Sequence, residues 1–278
     1  MEPSSAAADL VAGFVSGAVS TLAVHPVDTI LTRFQAAAVP HPSASAAVEA
    51  RSMASALGVL SLWRGAPFLI GAAPFQNALL MAGYGAGRRW NSLGDPSEEE
   101  RITSVFLGGV VGGLAQCLVA SPAELWKVRK QVQDMLRPKG NISAGLGATM
   151  LRDGLPHGIW FASYEWCKHK LGGDDTSNAE GMSMKVPLLS GAFAAFSAWA
   201  VGYPFDLIKT RIQAGTSSGV ASSVRDIVGK DGWSAPAQGM QRLYRGFGLK
   251  LARSIPASAI GFAVYEYTLP VIEKGLLG

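Results

Sequence analysis

The sequence predicts an all-α membrane protein with six transmembrane helices, built as three tandem two-helix repeats. Three observations predict it. Of the 278 residues, 49% are hydrophobic and only 16% are charged, against about 25% charged in a typical soluble domain. Four runs carry no Asp, Glu, Lys or Arg: Leu10 to Val27, Gly65 to Gly87, Ile102 to Ala123 and Val186 to Phe205. Each is close to the ~20 residues that cross ~30 Å of hydrocarbon. Finally, one charged phrase is written three times, each time at the end of an apolar run.

The phrase reads "HPVDTILTRFQ" from His25, "SPAELWKVRKQ" from Ser121 and "YPFDLIKTRIQ" from Tyr203. In every copy an acid follows the proline by two, an arginine by seven and a glutamine by nine. A lysine follows by five at Lys127 and Lys209, where the first copy has Leu31. Agreement of this kind in a chain so poor in charge marks an internal repeat. A second phrase follows the first, as "LWRGAPFLIGAAPF" from Leu62 and "LYRGFGLKLARSIPASAIGFAVYE" from Leu243; the middle copy has the weaker "SAGLGATMLRDGLPHGIWFASYE" from Ser143. Each repeat is therefore a long helix ending in a charged cluster, a loop and a second helix. The repeats divide the chain at 1–100, 101–180 and 181–278. Two shorter uncharged runs, Gly154 to Tyr164 and Ser254 to Tyr265, become long enough to span if a few polar residues upstream lie inside. The middle repeat is short: 96 residues separate Pro26 from Pro122 and 82 separate Pro122 from Pro204, with the shortening between Gln131 and Ser143.

Several function classes drop out. A net charge of +4 with no long basic run does not suggest nucleic acid, although basic loops could meet anionic lipid. Cys117 and Cys167 make neither a metal spacing nor a disulfide framework. Four scattered histidines, and no P-loop or dinucleotide fingerprint, argue against an enzyme. The start, "MEPSSAAADL", has no basic n-region and is not Arg-rich, so any organelle address is expected inside the chain. Gly13 and Gly17, Gly108 and Gly112, and Gly191 and Ala195 stand four apart. Small residues at this spacing predict close helix packing in all three repeats.

A proline near the end of a helix removes a hydrogen bond and kinks the chain. Pro26, Pro122 and Pro204 are therefore expected to turn the last helical turns inward. In the second and third copies the acid and the lysine lie three apart and share a face. Charges at membrane depth cost ~2.5–3.5 kcal/mol each and face a bundle interior or an aqueous cavity. Asp28, Glu124, Lys127, Asp206 and Lys209 thus read as a ring of ion pairs that closes one end of a cavity. Arg33, Arg129 and Arg211 fit the plainer reading of basic side chains that snorkel to headgroups. His25 reads as a packing or hydrogen-bonding residue at a kink, and Trp63, Trp90 and Trp126 as residues of the interface.

The repeated P-x-[DE]-x-x-[KR]-x-[KR]-x-Q phrase, with its aromatic–basic–Gly partner, resembles the mitochondrial carrier family over almost the whole chain. The resemblance implies six tilted helices with pseudo-threefold symmetry, a central substrate site and alternating access between two salt-bridge networks in the mitochondrial inner membrane. By that pattern Asp28 pairs with Lys127 and Glu124 with Lys209, while Asp206 meets Leu31 where a cation belongs. Gln35, Gln131 and Gln213 match glutamines that brace the matrix pairs. The cytoplasmic network, aromatic-[DE]-x-x-[KR], is complete only in "YEWCK", with Glu165 and Lys168; "YGAGR" keeps Arg88 and "YEYTL" keeps Glu266. Gly65 and Gly246 match glycines that open helices holding cardiolipin, a structural lipid, and the corresponding phrase before Gly145 is missing. The family also implies a monomer, with a small molecule as the transported partner.

Arg152 and Asp153, and Arg253 seven residues after Gly246, stand inside otherwise apolar helices. Intramembrane charges are functional candidates by default. An arginine fork matches a carboxylate, and an aspartate takes an ammonium or a guanidinium, so the set suits a zwitterion. The competing reading is that Arg152 and Asp153 neutralise each other and Arg253 pairs with some other acid. Gly71 and Ala72, before Pro74, add space at the first contact point. By resemblance, Arg followed by an acid is similar to the carnitine/acylcarnitine and basic amino-acid branch. A carboxylate or nucleotide carrier and a scaffold that no longer transports are the alternatives.

Overall fold

The computed structural model of the chain describes residues 3–36, 51–52, 55–91, 98–133, 143, 145–172 and 185–277. These residues are helical with no strand among them. The first repeat forms α1 (Pro3–Ala36), a 3-10 turn (Val59–Trp63) and α2 (Ala66–Asn91). The second forms α3 (Glu98–Val132) and α4 (Leu146–Gly172). The third forms α5 (Lys185–Gln213), α6 (Val220–Ser234), α7 (Pro236–Leu243) and α8 (Phe247–Leu277). Two segments are long and apolar enough to cross a membrane by length and composition, Val11–Ala36 and Glu100–Val132. The sequence-based expectation of six spans reaches beyond these two. The shortened stretch 134–142 lies outside the described residues, as do the side chains of Arg88, Trp90 and Glu266.

The described residues fall into two compact units. One takes Met1–Pro74, Pro122–Ala144 and Thr210–Gly278; the other takes Phe75–Ser121 and Gly145–Lys209. The division cuts α2 at Pro74 and α3 at Pro122, so it runs across the repeats.

In the first unit the ends of α1, α3 and α5 come together. Ala36, Val128, Val132 and Ala214 form one buried cluster. α5 stops after Gln213 because Gly215 adopts φ 78°, and Thr216 N–H then reaches back to the Arg211 carbonyl at 2.9 Å. A left-handed glycine with this six-to-one hydrogen bond is a standard helix stop. The Thr216 hydroxyl also donates to the Ala36 carbonyl at 2.9 Å, and Thr210 donates to Gln35 Oε1 at 3.1 Å. α1 packs along α8, where Ser16 donates to the Gly261 carbonyl at 2.6 Å. Gly229 breaks α6 with φ 67°, and Arg242 of α7 donates to the neighbouring Val228 carbonyl at 2.6 Å.

Pro26 sits inside α1 and has no N–H for the carbonyl four residues back, that of Leu22. Trp63 supplies the missing donor: its indole N–H reaches the Leu22 carbonyl at 2.7 Å. The tryptophan thus has a defined hydrogen-bonding task beyond an interfacial one. Trp126 is 45% exposed and stacks on Phe68, with ring centroids 6.2 Å apart. Trp63→Phe keeps the aromatic bulk and removes the donor. It is expected to cost about 1 kcal/mol, read as a small fall in the thermal midpoint of the purified protein. An unchanged midpoint would show that the Leu22 carbonyl needs no donor.

The second unit is held by backbone contact at glycines. A Cβ at Gly83 would lie 2.7 Å from the Gly112 Cα, and one at Gly87 would lie 2.7 Å from the Gly108 Cα. α3 meets α4 the same way: a Cβ at Gly109 would lie 2.7 Å from the His157 carbonyl oxygen, and one at Gly113 would lie 2.3 Å from that of Asp153. The expectation of glycine-mediated packing in all three repeats is corrected here. A Cβ at Gly13, Gly17 or Gly191 would meet nothing within 4 Å. Spacing puts two small residues on one helix face, but it does not say whether another helix covers that face.

One repeated feature survives where the sequence phrase fails. Gly65, Gly145 and Gly246 precede α2, α4 and α8 with φ of 92°, 84° and 88°. The middle helix starts from the same left-handed turn as the other two, with Thr149 N–H and hydroxyl both on the Gly145 carbonyl. Glycine is needed because other residues rarely adopt this conformation.

Candidate functional site

The first unit holds an ionic cluster on Asp28, which is 5% exposed. Lys127 of α3 pairs with its Oδ2, and Arg253 Nη1 of α8 lies 3.1 Å from its Oδ1. The Asp28–Lys127 pair is the one expected from the repeated phrase. Arg253 is the surprise: the arginine expected at the substrate is tied to Asp28, as the competing sequence reading held. Lys250 is also buried, three residues before Arg253 on the same face of α8. Gly65 backs directly onto this cluster, since a Cβ there would lie 3.0 Å from the Lys127 Cα and carbonyl oxygen. Glycine at 65 is thus explained by chain contact as well as by its turn.

Polar side chains surround the Asp28 turn. His25 is within 3.1 Å of the Arg64 carbonyl through Nε2, and Thr29 donates to the Leu62 carbonyl at 2.7 Å. Gln131 is fully buried and donates to Thr29 Oγ1 at 2.8 Å, with His25 Nε2 at 3.4 Å. Gln131 therefore contacts the residues flanking Asp28, not the Asp28–Lys127 pair. Gln35 accepts from Thr210. Gln213, 1% exposed, has no hydrogen-bond partner on either amide atom among the described residues. Leu31, buried at 2% exposure, occupies the position where the other copies carry lysine. The snorkelling reading is corrected for Arg33 and Arg211. Arg33 and Arg211 are each 6% exposed, and Arg33 Nη1 donates to the Gln131 carbonyl at 3.1 Å. That carbonyl lies in the last turn of α3, where acceptors lack helical partners and a cation is favoured. Arg245 stacks on Phe34, 4.6 Å from the ring centroid.

Glu124, half-buried, belongs to the first unit; Asp206 and Lys209, at 6% and 4% exposure, belong to the second. All three are engaged by other groups. Gly71 is exposed and Ala72 is buried, and nothing within 4 Å would obstruct a Cβ at Gly71.

The second unit holds a separate ionic cluster. Arg152 Nε lies 2.9 Å from Asp153 Oδ1, and Asp153 is 1% exposed. Cys117 Sγ donates to Asp153 Oδ2 at 3.6 Å. Next to the pair, His157 bonds the Asp153 carbonyl through Nδ1 at 2.7 Å and Gln116 Nε2 through Nε2 at 3.2 Å. Sequence reasoning did not single out Gln116 or His157. The usable signal was that His157 follows Asp153 by four, one helical turn along the same face. Glu165 of the cytoplasmic phrase pairs with Arg101 at 3.8 Å, each about a third exposed, and Lys168 is half-buried. A further aromatic group stands on the same helix: Phe161 stacks on Tyr84 at 4.3 Å and meets Trp160 edge-on at 5.1 Å.

Comparison with known proteins identifies the family. The sequence profile of the mitochondrial carrier protein family matches residues 2–92 and 181–275, in the first and third repeats. The chain is 31% identical to the mitochondrial arginine transporter BAC2 of Arabidopsis thaliana, covering 94% of this chain and 90% of that protein. It is 29% identical to the mitochondrial basic amino acids transporter of Homo sapiens, covering 95% and 90%. Solute carrier family 25 member 45 of Mus musculus is 28% identical, covering 94% and 97%. The chain belongs to the mitochondrial carrier family and is a multi-pass protein of the mitochondrial inner membrane.

Proposed function

We propose that the protein carries a small zwitterionic amino acid with a cationic side chain, by alternating access through six spans. The observation that carries the reading is the pairing of Arg253 with the gate acid Asp28. A planar guanidinium binds a carboxylate through two parallel bonds. A substrate carboxylate therefore competes with Asp28 for the same fork. When it succeeds, Asp28 keeps Lys127 and loses Arg253, and the closed gate is weakened. In the second unit, Asp153 takes a cationic group in exchange for Arg152.

The names of two relatives, an arginine transporter and a basic amino acids transporter, support a basic amino acid over carnitine. Cardiolipin phosphates at the glycine turns of Gly65 and Gly246, and a monomeric carrier, complete the proposal. The test is uptake by purified protein in cardiolipin-containing liposomes. The panel is arginine, lysine, ornithine, citrulline, neutral amino acids, carnitine, acylcarnitines, malate and ATP. Saturable uptake of basic amino acids is expected, with a loss of roughly a hundredfold in Arg253→Ala, as for removal of one charge-assisted contact. Preference for carnitine, malate or ATP would overturn the substrate class. Absence of all uptake from folded protein would favour a scaffold.

A further inference from the structure

We propose that His157, held by Gln116, positions Asp153 for the cationic end of the substrate and so sets selectivity for basic over neutral amino acids. The proposal rests on the reading of Asp153 given above. A backbone carbonyl only accepts hydrogen bonds, so the 2.7 Å contact to the Asp153 carbonyl places the proton of His157 on Nδ1. Nε2 is then an acceptor, and it faces the amide nitrogen of Gln116 at 3.2 Å, which donates. The bonds run in one direction, from Gln116 of α3 through the imidazole to the backbone of the residue that bears the carboxylate.

The placement on α4 gives this link its leverage. Pro156 stands inside the helix, so the Arg152 carbonyl loses its usual donor just where the charged pair sits. That turn is held at several places, among them the Pro156 ring against Gly202 of α5. The glycine contact at Gly113 brings α3 against the Asp153 carbonyl, and the His157–Gln116 link ties the following turn to α3. Cys117, next to Gln116, meets the carboxylate itself at 3.6 Å. Gln116 is 7% exposed and Asp153 is 1% exposed, so both ends of the link are buried. A group that fixes a reacting or binding side chain through a second hydrogen bond is a positioning residue, and its loss loosens geometry without removing the charge.

The experiment compares arginine with citrulline, which keeps the amino-acid end and lacks the side-chain charge, in liposome uptake. His157→Phe keeps the ring and removes both bonds. It is expected to raise KM for arginine about fivefold to tenfold, the range for a lost buried hydrogen bond, with Vmax and citrulline uptake changed less than about twofold. Gln116→Leu is expected to do the same, and the double variant no more than either single, because both break one link. His157→Asn, which restores the donor to the Asp153 carbonyl, is expected to recover part of the arginine affinity. Equal losses for arginine and citrulline, carried in Vmax, would overturn positioning in favour of a general structural role. Normal arginine uptake in His157→Phe beside defective uptake in Asp153→Asn would overturn the positioning role alone. Normal uptake in Asp153→Asn would overturn both readings. A thermal midpoint within a few degrees of the unaltered protein identifies variants whose kinetics can be read.

Discussion

Asp28→Asn is expected to abolish uptake and to lower the thermal midpoint more than any other single substitution in the first unit. The carboxylate is 5% exposed and holds two cations from two other helices, Lys127 and Arg253. Asparagine keeps the shape and can still accept a hydrogen bond, but it leaves both cations without a counter-charge. Removing one partner of a buried ion pair typically costs 3–5 kcal/mol because the remaining charge is uncompensated. Here two charges are stranded on side chains that are 12% and 23% exposed. Partial exposure lets water and lipid headgroups recover some of this, so a loss of about 3 kcal/mol is expected. Lys127→Met makes the contrast. It leaves Asp28 with Arg253, so the loss is expected to be smaller and uptake to persist at a reduced rate. Thermal unfolding of detergent-purified protein, beside liposome uptake, measures both. An Asp28→Asn protein as stable as the unaltered chain would mean that the cluster is already solvated, and the gate reading would fall.

Much of this arrangement was legible in the residues. A proline, an acid two further on and a lysine three after that specify a helix end with two charges on one face, and repetition says that three such ends exist. The Asp28–Lys127 pair follows from that pattern as the acid of one copy meeting the lysine of the next. What the pattern could not give was a pairing with a residue outside the phrase. Arg253 lies in the second phrase of the third repeat and Asp28 in the first phrase of the first, and no spacing relates them. The donor for the Leu22 carbonyl was hidden for a similar reason. Pro26 announces that a carbonyl is freed, but not that Trp63 folds back to meet it. Arg33 shows the limit of reading charge by position along a helix. Its place in the last turn of α1 suits snorkelling, yet the neighbouring end of α3 offers a carbonyl at 3.1 Å. The even helices were harder still. Gln116 belongs to no repeated phrase and His157 only to the weakest copy of the second one, and the close approach at Gly109 and Gly113 accompanies their contact.

Glycine substitutions separate pattern from contact most sharply, because the same spacing has opposite expected consequences in two helices. A Cβ at Gly112 would lie 2.4 Å from the Leu80 carbonyl oxygen and 3.0 Å from the Tyr84 backbone nitrogen. Neither is the movable end of a side chain. Gly112→Ala must therefore push α2 away from α3, opening the paired contacts at Gly83 and Gly87 along with it. Overpacking of this kind costs about 1–3 kcal/mol, and in lipid there is little hydrophobic force to draw the helices back together. Gly13→Ala in α1 meets nothing within 4 Å. It is expected to be neutral or stabilising, since alanine is favoured over glycine in a helix by up to about 1 kcal/mol. The paired thermal midpoints are the measurement: a clear fall for Gly112→Ala and none for Gly13→Ala. Equal falls would mean that α1 has a close helical neighbour at Gly13. The consequence extends to transport, because α3 touches α4 through Gly109 and Gly113, on the same helix and within one turn of Gly112. A displaced α3 carries Gln116 with it, so Gly112→Ala is expected to weaken arginine uptake through the link that holds Asp153, while Gly13→Ala leaves uptake unchanged.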